Sequence, residues 1–163
     1  MIAEFEAAKK EDGAASTAFR AYGLTLKHKH VPEMTQHTGL TRNVLFAPAV
    51  GNYRQGMLVE VPLHLSALPE TPSVERLHGA LLEAYEGQRF VEVADLDETE
   101  AMTGIEPEAL NGTNRMRLHV FGDRGGEQAR LVALLDNLGK GASGAAVQNL
   151  NIMLGLDEAT GLT

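Results

Sequence analysis

Apolar and polar residues recur along this chain with two different periods, which predict a mixture of strands and helices. Residues 57–65 carry an apolar side chain at every second position, as in a strand that buries one face. Residues 73–86 instead repeat their apolar positions at helical spacing and form one continuous stripe. Pro62 has no N–H to donate, so we expect the strand at 57–65 to lie at a sheet edge or a bulge.

Shorter signals of the same kind predict the other elements. A hairpin is indicated where residues 115–120 alternate, a glycine-rich turn follows at 122–126, and an apolar and therefore central strand returns over 129–135. The resulting fold class is α+β, a mixed and mostly antiparallel sheet with helices packed on one face, in a single domain over 1–163. Further strands are predicted at 23–30, 43–49 and 89–93. Helices are predicted at 2–11 and 142–155, and a third begins within 30–33 and ends at Gly39. Residues 94–112 are predicted to form a solvated acidic loop.

Composition and charge exclude several classes of protein. The 163 residues carry a net charge of −8, so charge alone does not attract the chain to nucleic acid or to anionic lipid. No apolar run approaches the roughly 18 residues of a membrane helix, and the first residues lack the basic and apolar regions of a secretory signal. The chain has no cysteine, so it contains no disulfide, no thiolate metal ligand and no thiol nucleophile.

The densest group of chemically active side chains consists of Tyr22, His28, His30, Glu33 and His37. On a strand at 23–30 the two histidines at 28 and 30 share one face, and Glu33 lies about one helical turn beyond His30. The group is compatible with a solvated surface or with a histidine general base that a carboxylate orients. A metal site is a third alternative, because nitrogen and oxygen ligands suit zinc or nickel, although no standard spacing is matched.

Two loops also carry candidate binding groups. Residues 52–56 place Arg54 after a predicted strand, where a guanidinium can hold a carboxylate or a phosphate. Residues 140–144 read Lys-Gly-Ala-Ser-Gly and open the last helix, where free N–H groups bind anions or polar parts of a cofactor. The alternatives are an ordinary surface turn for the first loop and a common strand-to-helix turn for the second.

The last helix is apolar over most of its circumference, which predicts burial on more than one side. Its exceptions are three amide side chains, Gln148, Asn149 and Asn151. Buried amides need hydrogen-bond partners, so we expect these to cap neighbouring backbone or to contact a ligand.

Taken together, these segments resemble the N-acetyl-gamma-glutamyl-phosphate reductase family, and the resemblance covers essentially the whole chain. The similar segments are 28–33 (its active-site histidine), 49–56 (its substrate-side arginine loop), 136–151 (its C-terminal signature) and 154–158. The signature at 136–151, Asp-Asn-Leu-Gly-Lys-Gly-Ala-Ser-Gly-Ala-Ala-Val-Gln-Asn-Leu-Asn, is long and specific. Tyr53 and Gln55 depart from the commoner pattern of the arginine loop.

The resemblance implies the C-terminal half of such a reductase, with a glyceraldehyde-3-phosphate dehydrogenase-like C-terminal domain. It implies NADPH-dependent reduction of N-acetyl-glutamyl 5-phosphate to the semialdehyde, in cytoplasmic arginine biosynthesis, and no activity for this chain alone. Its partners are then the N-terminal nucleotide-binding half, on which the helix within 139–163 is expected to pack, and further copies in a homo-oligomer. The alternative is a stand-alone binding or regulatory module of the same fold without catalysis.

The resemblance also implies roles for individual residues. His30 matches the acid–base histidine of the family and is expected to protonate the reacting oxygen. Tyr22, Glu33 and Arg54 are expected to contact the substrate. No metal is expected, and the residues expected to meet the nicotinamide end of NADP are Lys140, Gly141, Ser143, Gly144 and Asn149.

Overall fold

The computed structural model describes residues 18–163, and the chain divides into two compact units. The first unit ends at Arg54, and the second runs over Gln55–Thr163. The predicted helix at 2–11 lies outside the described residues, and the assignment of the whole chain to a single domain stays a prediction. Throughout residues 18–163, no helix combines the length and the apolar character that a membrane crossing requires.

The first unit contains a short antiparallel ribbon and one helix. Strand β1 (Phe19–Ala21) pairs with strand β2 (Ala49–Gly51). Helix α1 covers His30–Thr38 and ends, as predicted, at Gly39, which adopts a left-handed conformation with φ 65°. Glycine adopts this conformation without a steric penalty and is therefore common at helix ends.

Two strands predicted for this unit are wrong. Residues 23–30 form a turn and then a helix start, because Gly23 and Leu26 both have left-handed φ values of 63° and 58°. The N–H of Leu26 donates to the carbonyl of Gly23 at 2.9 Å and closes that turn. At the predicted strand 43–49, pairing begins only at Ala49, because the partner strand β1 is three residues long.

The second unit is built on a four-stranded sheet. Its strands are β3 (Met57–His64), β4 (Val91–Val93), β5 (Met116–Gly122) and β6 (Gln128–Leu135), in the spatial order β3-β6-β5-β4. The β3–β6 and β5–β6 pairs are antiparallel, and only β4–β5 is parallel. This confirms the mixed, mostly antiparallel sheet, the hairpin, the central position of β6 and the edge position of Pro62.

Helix α2 (Val74–Ala84) packs on one face of this sheet and forms the core. Ser73 caps the helix, because its Oγ accepts the N–H of Arg76 at 3.2 Å. A short 3-10 turn at Leu65–Ala67 precedes it. The buried core residues are Leu65, Val74, Val120 and Ala129, with Leu68, Leu77, Leu81, Leu96 and Leu131 packed against them.

The acidic segment at 94–112 is not wholly the solvated loop that the sequence predicts. It contains a short helix, α3 (Leu96–Ala101), whose first turn is capped because Asp95 Oδ1 accepts the N–H of Asp97 at 2.8 Å. Its carboxylates form ion pairs with strand β5 and the hairpin turn: Glu98 with Arg117, and Asp97 and Glu100 with Arg124. Charge density along the sequence did not reveal these partners, since they lie 19 to 27 residues away.

A five-residue π-helical turn at Gly139–Ser143 leads directly into helix α4 (Gly144–Met153). The buried residues of α4 are Gly144 and Asn151, so this helix faces the rest of its unit with small and polar positions. The predicted burial on more than one side is not met within this unit. The exposed large apolar side chains of α4 and the residue after it are Val147, Leu150, Ile152, Met153 and Leu154.

The amides of α4 explain how a polar face can be buried. Asn151 Nδ2 donates to the carbonyl oxygens of Glu158 and Thr160 at 3.1 Å and 2.9 Å, which confirms the predicted backbone cap. Gln148 Oε1 accepts from Asn114 Nδ2 at 3.1 Å. These hydrogen bonds give the inward-facing amides of Gln148 and Asn151 their partners, so α4 is held by polar contacts while its large apolar side chains are exposed.

Candidate active site

An aromatic cluster around His28 lies at the start of α1. The His28 ring centroid is 4.8 Å from that of His30, 5.9 Å from Tyr22 and 5.0 Å from Phe46, all in edge-on or tilted arrangements. His28 is half-buried, whereas His30 is exposed. The structure therefore brings together three of the residues that the sequence singled out, and it leaves the His30 ring open to solvent.

His28 also provides hydrogen-bond acceptors for the first turn of α1. Its carbonyl accepts the N–H of Val31 at 3.0 Å, and its Nδ1 accepts the N–H of His30 at 3.3 Å. The N-cap residue Lys29 makes no side-chain cap hydrogen bond, and Pro32 has no N–H that needs a partner. Because the first N–H groups of a helix have no intrahelical acceptors, the two acceptors of His28 stabilise this helix start.

Glu33 and Arg54 lie in different parts of the first unit. Glu33 lies in the first turn of α1, three residues after His30, and residues at this spacing are neighbours on a helix surface. Arg54 is exposed and follows β2. The Tyr53 ring lies against the backbone of Gly51, where an added Cβ would be 2.3 Å from Tyr53 Cε1. Residue 51 must therefore be glycine for the Tyr53 ring to keep this position.

The metal alternative has no geometric support in the described part of the chain. Between residues 18 and 163, no three histidine, aspartate or glutamate side chains lie close enough together to hold a metal ion. His37 is in the last turn of α1, two turns beyond His30, although the sequence groups it with the other histidines. The helix therefore separates ligands that the sequence places within ten residues.

The glycine-rich turn before α4 predicted backbone N–H groups without acceptors, but the structure differs. The N–H groups of Gly141, Ser143 and Gly144 each donate to a carbonyl five residues earlier, as in a π-helix. The expectation of free N–H groups is therefore wrong for these three residues. The cause is the π-helical turn itself, which continues the hydrogen bonding ahead of α4.

Gly139 begins this turn and Gly144 follows it, and both allow another part of the chain to approach closely. A Cβ on Gly144 would lie 2.3 Å from Asn114 Oδ1, and one on Gly139 would lie 2.6 Å from the carbonyl oxygen of Thr113. Protein atoms occupy the space that these glycines leave. The glycines thus serve internal packing and do not form a cradle for a phosphate.

Lys140 is held against the body of the second unit. Its Nζ donates to Gln148 Oε1 at 2.7 Å and lies 5.7 Å from the centre of the Phe90 ring. Burial lowers the pKa of the Lys140 ammonium from its usual value, and the nearby charge of Glu158 opposes that shift. Asn149 is exposed on α4. Lys140, Ser143 and Asn149 are thus the predicted cofactor residues that have polar side-chain atoms near the surface.

Sequence reasoning missed the buried carboxylate of Asp136. This residue is 2 % exposed and accepts hydrogen bonds from Gln55 Nε2 at 2.9 Å and from the N–H groups of Gly112 and Leu138, both at 2.8 Å. Burial alone would raise the pKa of Asp136. The N–H groups of Gly112, Leu138 and Gly139 and the Gln55 amide outweigh that effect and hold the pKa below its usual value. The only sequence signal is an aspartate at the end of an apolar strand.

Asn137 extends this anchor to the segment after Arg54. Its Oδ1 accepts the N–H of Gly56 at 2.8 Å, while Asn111 Nδ2 donates to the carbonyl of Gln55 at 3.2 Å. The residues that follow Arg54 along the chain are therefore fixed to the start of the C-terminal signature. The two segments are far apart in the sequence, so their contact could not be predicted, although both are among the segments that resemble the reductase family.

Comparison with known proteins places the chain in a defined class. The family model described as "Semialdehyde dehydrogenase, dimerisation domain" matches residues 6–137. The chain belongs to this family, which agrees with its α+β fold and its mostly antiparallel sheet.

The similar proteins have a more specific name. The chain is 51% identical over 155 residues to the N-acetyl-gamma-glutamyl-phosphate reductase of Brucella anthropi, covering 95% of this chain and 50% of that protein. It is 51% identical over 154 residues to the reductase of the same name from Rhizobium meliloti, covering 94% and 49%. It is 51% identical over 158 residues to N-acetyl-gamma-glutamyl-phosphate reductase 2 of a Nostoc species, covering 94% and 49%. The chain thus spans about half the length of the curated relatives it matches, and the resemblance seen in the sequence is confirmed.

Proposed function

We propose that this chain forms the C-terminal half of an N-acetyl-gamma-glutamyl-phosphate reductase of arginine biosynthesis, a cytoplasmic enzyme. The observation that carries the proposal is 51% identity, over 95% of the chain, to a reductase of about twice its length. The exposed imidazole of His30 at the start of α1 supports it, because a proton donor must reach its substrate.

In the proposed reaction, His30 donates a proton to the reacting oxygen. In the proposed reaction a thiolate from the other half of the enzyme displaces phosphate from N-acetyl-glutamyl 5-phosphate and forms a thioester. NADPH, when bound, supplies the hydride that reduces this thioester. The oxygen of the resulting thiohemiacetal carries negative charge and gains a proton from the imidazolium of His30. The C–S bond then breaks and releases the semialdehyde and the thiolate, while the hydroxyl proton returns to His30. Glu33, one helical turn away on the same helix face, orients that ring or contacts the amino side of the substrate.

Tyr22 and Arg54 are the proposed substrate-binding residues. The phenol of Tyr22 belongs to the cluster around His28, and its hydroxyl can donate a hydrogen bond to a substrate oxygen. The exposed guanidinium of Arg54 suits bidentate binding of a carboxylate or phosphate. Each of these groups supplies binding and orientation, and the nucleophile comes from the other half because this chain has no cysteine.

The described residues do not form a complete NADP site. The N–H groups of Gly141, Ser143 and Gly144 donate within the chain and are not free to bind an anion. The proposed contribution of this turn and of α4 is therefore limited to the Lys140 ammonium, the exposed hydroxyl of Ser143 and the exposed amide of Asn149, at the nicotinamide end of the cofactor. Most of the cofactor contacts belong to the nucleotide-binding half.

The nucleotide-binding half is also the proposed partner of the helix within 139–163. Helix α4 turns Asn151 inward and leaves Leu150 54% and Met153 82% exposed. An apolar surface on this helix suits a second domain, because soluble domains rarely expose such patches without a partner. The alternative of a stand-alone module predicts that this surface is covered within the chain. We further propose that the enzyme is a homo-oligomer, in keeping with the dimerisation-domain family.

The proposal is tested by an NADPH oxidation assay with N-acetyl-glutamyl 5-phosphate. The purified chain alone is expected to show no turnover, because it contains no thiol to form the thioester. Addition of the nucleotide-binding half of the same enzyme is expected to produce NADPH oxidation that depends on both parts. Turnover by this chain alone, or a folded mixture of both halves that remains inactive, would contradict the proposal.

A further inference from the structure

We infer that His28 is a positioning residue for His30, through a hydrogen bond from its ring to the His30 backbone and through contact between the two rings. The inference rests on the proposed role of His30 as the proton donor. His28 itself touches neither substrate nor cofactor in this account. It acts by fixing where the His30 backbone and imidazole lie.

The backbone part of this role is a specific hydrogen bond. His28 Nδ1 accepts the N–H of His30 at 3.3 Å, two residues along the chain. Asparagine and aspartate side chains often make the same type of bond, in which a side-chain acceptor binds the N–H two residues later and shapes a turn. The bond requires an unprotonated Nδ1, so the neutral His28 ring carries its proton on Nε2. His28 therefore combines the acceptor of an asparagine with an aromatic ring.

The ring part of the role follows from packing. His28 is held by Tyr22 at 5.9 Å and Phe46 at 5.0 Å, and its ring is half-buried. The His30 ring meets it edge-on, at 4.8 Å and an interplanar angle of 69°. An exposed imidazole on a helix terminus has several staggered rotamers, and a packed neighbour reduces that choice. The His28 ring thus gives the His30 ring a fixed surface to lie against.

Positioning of this kind affects the chemical step. A proton donor must lie within hydrogen-bond reach of the oxygen it protonates, and a displacement of about 1 Å far from the chemistry can cost two orders of magnitude in rate. Loss of the His28 acceptor is expected to affect kcat, because a mobile His30 donates its proton less often. Substrate binding depends on other groups, so KM is expected to change little.

Two variants separate the two contributions. His28→Phe keeps an aromatic ring among Tyr22 and Phe46 but removes the acceptor. His28→Asn keeps an acceptor that can bind the N–H of residue 30 but removes the ring. His37→Asn is the matched control, because His37 is exposed in the last turn of the same helix.

The first measurement is nuclear magnetic resonance of the full, isotope-labelled chain. We expect a through-hydrogen-bond coupling between the His30 amide nitrogen and His28 Nδ1, and a nitrogen chemical shift that shows Nδ1 to be unprotonated. In His28→Asn the His30 amide is expected to stay protected from hydrogen exchange, whereas His28→Phe exposes it. A neutral His28 with its proton on Nδ1, or a His30 amide that exchanges equally fast in all variants, would overturn the inference.

The second measurement is the kinetics of the enzyme assembled from this chain and its nucleotide-binding half. We expect His28→Phe to lower kcat about tenfold, which corresponds to about 1.4 kcal/mol and to one hydrogen bond. KM stays unchanged, His28→Asn recovers most of the rate, and His37→Asn behaves as the unmodified chain does. A rise in KM at constant kcat, or a His28→Phe enzyme that is as fast as the unmodified one, would overturn the inference. An inactive unmodified enzyme would instead contradict the proposed function, and the resonance measurement would still decide the role of His28.

Discussion

The side-chain amide of Gln55 donates a hydrogen bond at 2.9 Å to the carboxylate of Asp136, which lies 81 residues later in the sequence. The same carboxylate accepts the N–H groups of Gly112 and Leu138. One buried anion therefore joins its own loop to two others, at Gln55 and Gly112, although no ion pair to it is present among residues 18–163. Buried charges of this kind depend on complete hydrogen bonding.

The first prediction concerns the side-chain amide of Gln55, which donates to Asp136. Gln55→Ala is expected to lower the free energy of unfolding by about 2 kcal/mol, because it removes a hydrogen bond to a buried charged group. Gln55→Glu is expected to cost more, since it places a second carboxylate against Asp136. Urea denaturation of the full chain measures both. Gln88→Ala is the control, and as a change at an exposed loop position it should alter stability by no more than about 0.5 kcal/mol. A Gln55→Ala variant as stable as this control would show that the anchor does not need Gln55.

The second prediction is a pH dependence caused by His119. This residue is 1 % exposed, and neither ring nitrogen has a hydrogen-bond partner within the described residues. Burial lowers the pKa of His119 below its ordinary value of 6.5, and the charge of Arg117 lowers it further, while Glu98 and Glu92 partly oppose the shift. The folded protein therefore holds this ring neutral at pH values where the unfolded chain protonates it.

The sign of the effect follows from proton binding. Below pH 6.5 the unfolded state binds a proton that the folded state rejects, so stability falls as the pH drops toward the lowered folded pKa. The slope from one such group cannot exceed about 1.4 kcal/mol per pH unit. Denaturation between pH 7.5 and pH 5 should show this slope in the unmodified chain and a smaller one in His119→Leu. Phe121→Leu removes the ring that stacks on His119 at 5.7 Å and should keep the slope, since no titrating group is lost. An unchanged slope in His119→Leu would rule out this residue as its source.

The third prediction uses a pair of helical glycines. Gly144→Ala is expected to destabilise the chain by about 1–3 kcal/mol, because its Cβ would lie 2.3 Å from Asn114 Oδ1. Gly79→Ala in α2 has no atom within 4 Å of the added Cβ and is expected to stabilise the chain by about 0.5–1 kcal/mol. Thermal unfolding of both variants measures the difference in sign. If both substitutions stabilised the chain, residue 144 would have room for a Cβ beside Asn114, and the close contact between them would be wrong.

The fourth prediction concerns the outward face of α4. Met153→Lys and Leu150→Glu are expected to leave the stability of the chain nearly unchanged, because both side chains are more than half exposed. They are expected to weaken binding of the nucleotide-binding half at least tenfold, measured by calorimetry, because apolar contact area is lost. Leu82→Glu on α2 is the control, since Leu82 is 48% exposed on a different helix. Equal binding by all three variants would assign the partner surface elsewhere.

The strength of the local pattern decided which elements the sequence could predict. Strict alternation in β3 and the apolar run in β6 predicted strands, and the turn between β5 and β6 predicted their antiparallel pairing. Pro62 was expected at an edge or a bulge, and it lies on the edge strand β3. The turn at Gly23 and Leu26 shows the opposite case. The alternation there is genuine, but two left-handed residues turn the chain before any pairing is possible.

The site shows the same division between local and distant information. Spacing grouped Tyr22, His28 and His30, which the structure places together. The anchor between Gln55 and Asp136 was not predictable, because nothing in either segment reveals a partner 81 residues away. The free N–H groups expected in the Lys-Gly turn were wrong because a π-helical turn is not encoded by any simple repeat of residue types.

The central claim is that His30 is the proton donor of a reductase completed by a second half. It is tested most directly by the turnover of the assembled enzyme with His30→Asn, using NADPH oxidation and His37→Asn as the control. We predict that His30→Asn lowers kcat by a factor of about 10²–10⁴, as for the loss of a general acid, while the control retains full activity. An enzyme with His30→Asn that turns over as fast as the control would contradict the claim.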